Sequence, residues 1–228
     1  MKNTLFLKSY LIISAIYLLI ILLGYESIAW FIKPFLIPFL LLGVYFHSDF
    51  PSKQYLLTAL SFSWFGDIIL LFADRDEMYF IVGLIAFLIS HIGYILLFNK
   101  QIKPKNTKNK AVFWMGVTAI IMYLIVMIAV LLPSLGDLTI PVFVYALVIS
   151  TMLLFAFKGF LIWKEPANWY VLIGAIIFIS SDSILAFNKF YQPVVLSSFL
   201  IMITYLVAQY LIVVGILKLN KKNSILNF

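Results

Sequence analysis

Three charged side chains, Lys33, Asp67 and Asp182, lie inside long apolar stretches of this sequence. An ionised side chain near the middle of a bilayer costs about 2.5–3.5 kcal/mol on insertion scales, so such residues usually face the protein interior and mark a site. Two carboxylates held close together in a low-dielectric site do not both ionise cheaply, because their charges repel. One keeps its proton and the other stays charged, which supplies a general acid and a general base.

Other polar side chains accompany these charges. His91 and Tyr94 are three residues apart, and Tyr205 and Gln209 are four apart, so each pair shares one face of a helix. Serines flank both aspartates, among them Ser61, Ser63, Ser180, Ser181 and Ser183. The simplest interpretation is a polar cavity between helices.

Each of these residues also has a purely structural interpretation. Lys33 could extend its stem to the membrane surface. Asp67 and Asp182 could form a hydrogen-bonded pair with each other, or an ion pair with Lys33. His91 could simply pack between helices, and the polar groups at 205 and 209 could hydrogen-bond neighbouring helices.

Several established chemistries lack their motifs here. The sequence contains no Gly-x-Ser-x-Gly nucleophile turn and no His-Glu-x-x-His metal motif. With no cysteine and only two histidines, His47 and His91, we expect no metal site. An intramembrane aspartyl protease needs Gly-x-Gly-Asp and Tyr-Asp, whereas the aspartates here follow Phe65-Gly66 and Ser181. Acid–base hydrolysis of a membrane-soluble substrate by two aspartates is a chemistry that these residues permit.

The elements that position these residues are predicted to be membrane-spanning helices. Of 228 residues, 64% are hydrophobic and 11% are charged, against about 25% charged in a soluble domain. The apolar runs are close to the roughly 20 residues that cross a bilayer as a helix, and a barrel would instead alternate polar and apolar residues. We therefore predict an all-α polytopic membrane protein, with one transmembrane domain over residues 1–228 and eight spans at approximately 4–23, 28–46, 55–73, 79–98, 112–132, 140–163, 168–187 and 194–217.

The distribution of basic residues predicts the orientation of these spans. With eight spans, one side carries two basic residues, Arg75 and Lys189. The other side, which holds both termini, carries Lys2, Lys8, Lys53, Lys100, Lys103, Lys105, Lys108, Lys110, Lys158, Lys164, Lys218, Lys221 and Lys222. The positive-inside rule therefore places both termini in the cytoplasm. The net charge of +7 is explained by this topology, and we expect no nucleic-acid partner.

The spans also predict that the three buried charges share one depth. At ~1.5 Å per residue, Lys33, Asp67 and Asp182 each lie roughly 8–9 Å below the outer boundary. At an offset of 115 residues, the segment that begins at Asp67 aligns with the segment that begins at Asp182. This weak similarity is typical of a parallel repeat of four plus four helices, whose pseudo-two-fold axis would bring the two aspartates toward each other.

An ordered set of motifs runs through nearly the whole chain. The set consists of Lys33-Pro34, Ser63-Trp64-Phe65-Gly66-Asp67, Phe80-x-x-Gly83-x-x-x-Phe87-x-x-x-His91-x-x-Tyr94, Ser181-Asp182, and Thr204-Tyr205 with Gln209. This set resembles the signature of the YhhN-like family of lysoplasmalogenase-like membrane proteins. The resemblance implies hydrolysis of the vinyl ether bond of lysoplasmalogens, giving a fatty aldehyde and glycerophospho-ethanolamine or -choline. It also implies a role in lipid metabolism, a lysophospholipid substrate drawn from the membrane lipids, and no cofactor.

The resemblance assigns roles to the residues above. Asp67 and Asp182 become the catalytic residues, one protonating the alkenyl carbon while the other stabilises the cation and activates water, and the sequence does not say which does which. The substrate-binding or supporting residues are Lys33, His91, Tyr94, Ser181, Tyr205 and Gln209. We expect the protein in a bacterial inner (plasma) membrane.

Two functions of other classes remain open from the residues. Membrane-embedded aspartates and a parallel repeat also suit a proton-coupled or lipid transporter. A transporter would show Gly or Pro breaks at matching places in both halves, and the prolines at 34, 38, 133, 141 and 193 form no such pairs. A structural or lipid-sensing protein would tolerate asparagine at 67 and 182.

Overall fold

The computed structural model describes residues 2–102 and 110–221, of which 85% are helical and none form strands. The predicted all-α fold is confirmed. The basic positions Lys103, Lys105, Lys108 and Lys222 lie outside the described residues. The helices are α1 (Lys2–Leu22), α2 (Glu26–Ile32), α3 (Leu36–Tyr45), α4 (Lys53–Leu70), α5 (Glu77–Gln101), α6 (Lys110–Leu131), α7 (Thr139–Phe160), α8 (Ala167–Ala186) and α9 (Ser197–Leu219).

In the described part of the chain, seven helical segments are long and apolar enough to cross a membrane. They are α1, α2 with α3, and α5 to α9, so the chain is a polytopic membrane protein. The helix that falls short is α4, which is 18 residues long and carries Lys53, Gln54 and Asp67. It packs mainly against α5 and also contacts α3. We propose that α4 crosses the bilayer as well, because Ser63 and Asp67, two of the polar residues that lower its hydropathy, are buried inside the protein and not exposed to lipid.

The second predicted span is a helix with a break inside it. Residues Lys33–Phe35 form a single 3₁₀ turn between α2 and α3. Pro34 causes this break, since proline has no backbone N–H to donate and its ring crowds the preceding turn. The Pro34 carbonyl accepts a hydrogen bond from Trp64 Nε1 at 2.7 Å, which ties the break to α4. Lys33 therefore leaves the backbone at a fixed point beside α4.

The closest helix pairs are α4 with α5 and α8 with α9. Small residues allow the close approach. A methyl group added at Gly93 would lie 3.2 Å from Ala59 Cα, and one added at Gly174 would lie 3.0 Å from the backbone nitrogen of Ile212. Such contacts let membrane helices gain van der Waals energy where lipid offers no hydrophobic driving force. The two pairs occupy equivalent places in the predicted four-plus-four repeat.

Candidate active site

A polar cavity of about 440 Å³ is lined by residues from α1, α2, α4, α5, α8 and α9 and from the segments between them. Lys33, Asp67 and Asp182, the three charges predicted to share one depth, all line it. The polar and aromatic residues that join them are Tyr17, Glu26, Trp30, Asp74, Phe80, Phe87, Ser181, Asn188, Lys189, Ser197, Ser198 and Tyr205.

Asp67 lies near the end of α4 and is 3% exposed. Its Oδ1 is 3.9 Å from Nζ of Lys33, which comes from the break between α2 and α3. Its Oδ2 accepts a hydrogen bond of 2.7 Å from the hydroxyl of Tyr205 on α9. The Lys33 ammonium can balance the charge of an ionised carboxylate here. Together, Lys33 and Tyr205 fix the position of Asp67 from two sides.

Asp182 on α8 has a different pair of partners. Its Oδ2 accepts a 2.5 Å hydrogen bond from the hydroxyl of Tyr145 on α7. His91 Nε2, on α5, lies 3.1 Å from the same oxygen and 3.0 Å from the Tyr145 hydroxyl. Because the tyrosine hydrogen points to the carboxylate, the arrangement requires the proton of a neutral His91 to be on Nε2. Each aspartate is thus held by one tyrosine hydroxyl and faces one nitrogen-bearing side chain.

His91 is fully buried, and its ring packs edge-on against Phe178 with 4.9 Å between centroids. It is therefore both a packing residue and a hydrogen-bond partner of Asp182. In the described part of the chain no hydrogen bond joins Asp67 to Asp182, whereas the Lys33–Asp67 contact is present. Of the structural alternatives for the aspartates, the ion pair is the one that this geometry contains.

Tyr94 and Gln209 lie behind the cavity wall, not on its surface. The Tyr94 hydroxyl donates to Gln209 Oε1, and Gln209 Nε2 donates to Ser63 Oγ at 2.9 Å. Ser63 and Ser90 are joined Oγ to Oγ at 2.7 Å. All four side chains are fully buried. The network ties α4 and α5 to α9, which carries Tyr205 one turn from Gln209, so its geometry suits support of the site.

Ser181 is buried at the cavity wall, and its hydroxyl donates to the Ile201 carbonyl at 2.9 Å. This bond links α8 to α9 next to Asp182. Tyr145 is a site residue that the sequence analysis missed. Its only signal was a polar hydroxyl seven positions into the apolar helix α7. The repeat offered no help, because the tyrosine that holds Asp67 comes from α9 and not from a position equivalent to 145.

Across residues 2–102 and 110–221, no group of three or more His, Asp or Glu side chains is placed to hold a metal ion. The arrangement can instead exchange protons. It brings two carboxylates to one cavity, one beside a cation and one beside two hydrogen-bond donors.

The sequence is similar to one family of known proteins. The sequence matches the YhhN family over residues 28–216, a range that includes both aspartates and the residues that hydrogen-bond or ion-pair with them. Lysoplasmalogenase TMEM86A of Homo sapiens is 35% identical over 174 residues, which cover 75% of this chain and 68% of the human protein. Lysoplasmalogenase TMEM86A of Bos taurus is 32% identical with the same coverage. No solved structure matches the chain at a significant level.

Proposed function

This chain belongs to the YhhN family, and from that premise we propose that it is a membrane-embedded hydrolase that cleaves the vinyl ether bond of lysoplasmalogens. The products are a fatty aldehyde and glycerophospho-ethanolamine or glycerophosphocholine. Two relatives bear the name of this activity. The observation that carries the proposal is the presence of Asp67 and Asp182 in one polar cavity of a membrane protein, because vinyl ether hydrolysis needs one acid and one base.

The reaction proceeds in three steps that consume one water molecule. A carboxylic acid transfers its proton to the alkenyl carbon that is not bonded to oxygen, which leaves an oxocarbenium ion. Water adds to the carbon bonded to oxygen while a carboxylate accepts one of its protons, and the product is a hemiacetal. The hemiacetal then breaks its bond to the glycerol oxygen, which takes up the proton held by the second carboxyl group. The hemiacetal hydroxyl gives its own proton to the first carboxylate, so both carboxyl groups return to their starting states. Glycosidases divide their chemistry between two carboxyl groups in a similar way.

The surroundings of the two aspartates suggest which role each takes. Asp67 is buried, and the Lys33 ammonium 3.9 Å away offsets part of the cost of an ionised carboxylate there. Asp182 has no cationic lysine or arginine at salt-bridge distance in the described part of the chain. We therefore assign Asp67 as the carboxylate that stabilises the cation and accepts the water proton. Asp182 is the acid that protonates carbon.

The Tyr145 hydroxyl positions the Asp182 acid. When the proton leaves the carboxyl group, negative charge develops on the oxygen that accepts the Tyr145 and His91 hydrogen bonds. Hydrogen bonds to a charged oxygen are stronger than those to a neutral one, so these donors favour the transition state over the ground state. Lys33 and Tyr205 fix the position of the Asp67 carboxylate.

The cavity carries charges of both signs for a zwitterionic headgroup. Glu26, Asp74 and Lys189 all line it. We assign the headgroup ammonium to the two carboxylates and the phosphate to Lys189, whose Nζ lies 5.0 Å from the ring centroid of Phe80 at the cavity wall. With the headgroup held by these three residues, the glycerol oxygen would lie closer to Asp67 and Asp182 than the phosphate does.

The cavity includes Ala73 and Asp74 after α4 and Asn188 and Lys189 after α8. These connections lie on the side of the helices opposite to the basic loops. With both termini in the cytoplasm, the cavity therefore faces the outer leaflet. We propose a bacterial inner membrane as the location, in which lysolipids of that leaflet reach the site laterally.

The structure offers the transporter alternative little support. Transporters built from two repeats carry broken helices at matching places. The break at Lys33–Phe35 lies in the second span, but α7, which holds the equivalent place in the second half, is continuous from Thr139 to Phe160.

Release of aldehyde by the purified protein in detergent tests the proposed activity. The substrates are lysoplasmenyl-ethanolamine and lysoplasmenyl-choline, and the control substrate is the saturated 1-alkyl lysolipid, which has no double bond to protonate. We expect aldehyde from the two vinyl ethers alone. Asp67→Asn and Asp182→Asn should each abolish the release while thermal unfolding shows a folded protein. Full activity in both variants would refute the aspartate mechanism, and no activity in well-folded wild-type protein would refute the function.

A further inference from the structure

Two small apolar pockets share Asp182 as a lining residue with the polar cavity. The first, of about 50 Å³, lies between α6, α7 and α8, and the second, of about 30 Å³, lies between α5, α7 and α8. Both are lined almost entirely by hydrocarbon, including Met127, Ile128, Val142, Ala146 and Ile179.

These pockets and the polar cavity form a series of adjoining spaces that share lining residues. Tyr145, Val142 and Ala186 line both apolar pockets. Phe80 and Leu185 line both the second apolar pocket and the polar cavity. Asp182 lines all three spaces. A molecule bound across the series would thus change from polar to apolar surroundings at the Asp182 carboxylate.

We propose that the groove formed by these two pockets, called here the chain groove, binds the first carbons of the hydrocarbon chain of the lipid substrate. This inference rests on the proposed function and adds to it the site where the hydrocarbon chain of the substrate binds. In a 1-alkenyl lysolipid the ether bond lies where the polar glycerol ends and the hydrocarbon begins. The place where the polar cavity meets the chain groove has the same polarity change, and Asp182 lies there.

The α6 wall of the chain groove lies at the lipid-facing surface of the helix bundle. Only 6% of the most apolar stretch of α6 is buried, and Leu124, Met127 and Ile128, which line the groove, are only partly buried. The pockets are too small for a whole fatty chain, so the carbons beyond the first few extend between α6 and α7 into lipid. Transfer from lipid to the groove gains little hydrophobic energy, because both are apolar. The groove therefore acts by orienting the ether bond and not by adding affinity.

The groove also explains the assignment of the acid. The alkenyl carbon that takes up the proton lies on the chain side of the ether bond, whereas water attacks the carbon on the oxygen side. Asp182 lines the chain groove, and Asp67 lines only the polar cavity. The carboxyl group nearest to the chain is thus the one that protonates carbon.

Photocrosslinking locates the chain without any need for catalysis. The probe is a saturated 1-alkyl lysophosphoethanolamine with a diazirine near the ether end of its chain, used with the full-length wild-type protein. We expect mass spectrometry to find adducts on the facing residues of α6 and α7, such as Leu124, Met127 and Ala146. Adducts on α1 or α2 in place of these, or scattered over all lipid-facing helices, would overturn the proposal.

A substitution that fills the groove supplies the functional arm. Ala146→Trp places an indole in the chain groove, and Ala119→Trp is the matched control on the exposed face of α6. We expect Ala146→Trp to lower kcat/KM for a long-chain lysoplasmalogen by at least about tenfold, since small misplacements of a reacting bond cost up to about 10²-fold. The loss of kcat/KM should shrink for a substrate whose chain is only two carbons long. Ala119→Trp should leave kcat/KM unchanged for both substrates.

The outcomes separate this inference from the proposed function. Crosslinks in the groove with no aldehyde release from wild type would support the chain site and refute the hydrolase. Aldehyde release with Ala146→Trp equal to Ala119→Trp would support the hydrolase and refute the groove. A misfolded Ala146→Trp protein leaves the wild-type crosslinking result to decide.

Discussion

The hydroxyl of Tyr145 provides a graded test of the site, because phenylalanine removes it without changing the ring. In the wild type this hydroxyl donates to Asp182 Oδ2 at 2.5 Å and is fixed by His91 Nε2 at 3.0 Å. Tyr145→Phe leaves the carboxylate, the cavity and the packing of α7 in place. It therefore weakens the acid without deleting it.

The magnitude follows from how the hydrogen bond changes during proton transfer. A neutral hydrogen bond contributes about 1 kcal/mol and one to a charged group about 1.5–3 kcal/mol, so the bond strengthens by roughly 0.5–2 kcal/mol as Asp182 ionises. Each 1.36 kcal/mol corresponds to about tenfold in rate. We predict that Tyr145→Phe lowers kcat about tenfold and leaves KM nearly unchanged, as expected for an interaction made mainly in the transition state.

The matched control is Tyr123→Phe. Tyr123 lies on α6 and lines the chain groove, as Tyr145 does. Its hydroxyl hydrogen-bonds the Ser183 hydroxyl, whereas that of Tyr145 bonds a carboxylate. The assay is steady-state aldehyde release across a range of lysoplasmenyl-ethanolamine concentrations, together with thermal unfolding of each variant. Equal losses of kcat in both variants would show a general packing effect. Unchanged kcat in Tyr145→Phe would refute the role of Asp182 as an acid stabilised by this hydroxyl.

Three further predictions concern the supports of the site. Lys33→Met should lower both the unfolding temperature and the activity, because it leaves Asp67 without its cation. The double variant with Asp67→Asn should recover the unfolding temperature but not the activity, as measured by thermal unfolding and aldehyde release. Gln209→Leu should destabilise the protein by about 1–3 kcal/mol because it leaves the buried Tyr94 hydroxyl without an acceptor, and guanidinium or thermal unfolding would measure the loss. Gly174→Val should separate α8 from α9, since the first added carbon already meets the α9 backbone at 3.0 Å, and a yield of folded protein equal to wild type by size exclusion would contradict this.

The sequence was informative about the charged residues for a simple physical reason. A charge inside an apolar segment is costly unless the protein interior accommodates it, so Lys33, Asp67 and Asp182 stood out. Their helix positions alone predicted a common depth, and all three line one cavity. The all-α membrane fold followed in the same way from hydrophobic runs of span length.

The sequence was less informative about side chains whose polarity is ordinary in a membrane helix. Tyr145 resembles many tyrosines of apolar helices, and only the packing of α7 on α8 brings it to Asp182. Conversely, Tyr94 and Gln209 share faces with site residues but bond to each other behind the wall. The helical period identifies which residues share a face, but the distance between two faces depends on tertiary packing.

Isotope labelling in water that carries both deuterium and oxygen-18 tests the central claim most directly. Mass spectrometry of both products would locate the atoms that come from solvent. Protonation of carbon by a carboxylic acid followed by water capture predicts one deuterium on the carbon next to the aldehyde carbonyl. The same mechanism predicts no oxygen-18 in the glycerophospho-ethanolamine. Oxygen-18 in the glycerol hydroxyl would show attack at the glycerol carbon and would contradict the two-aspartate mechanism.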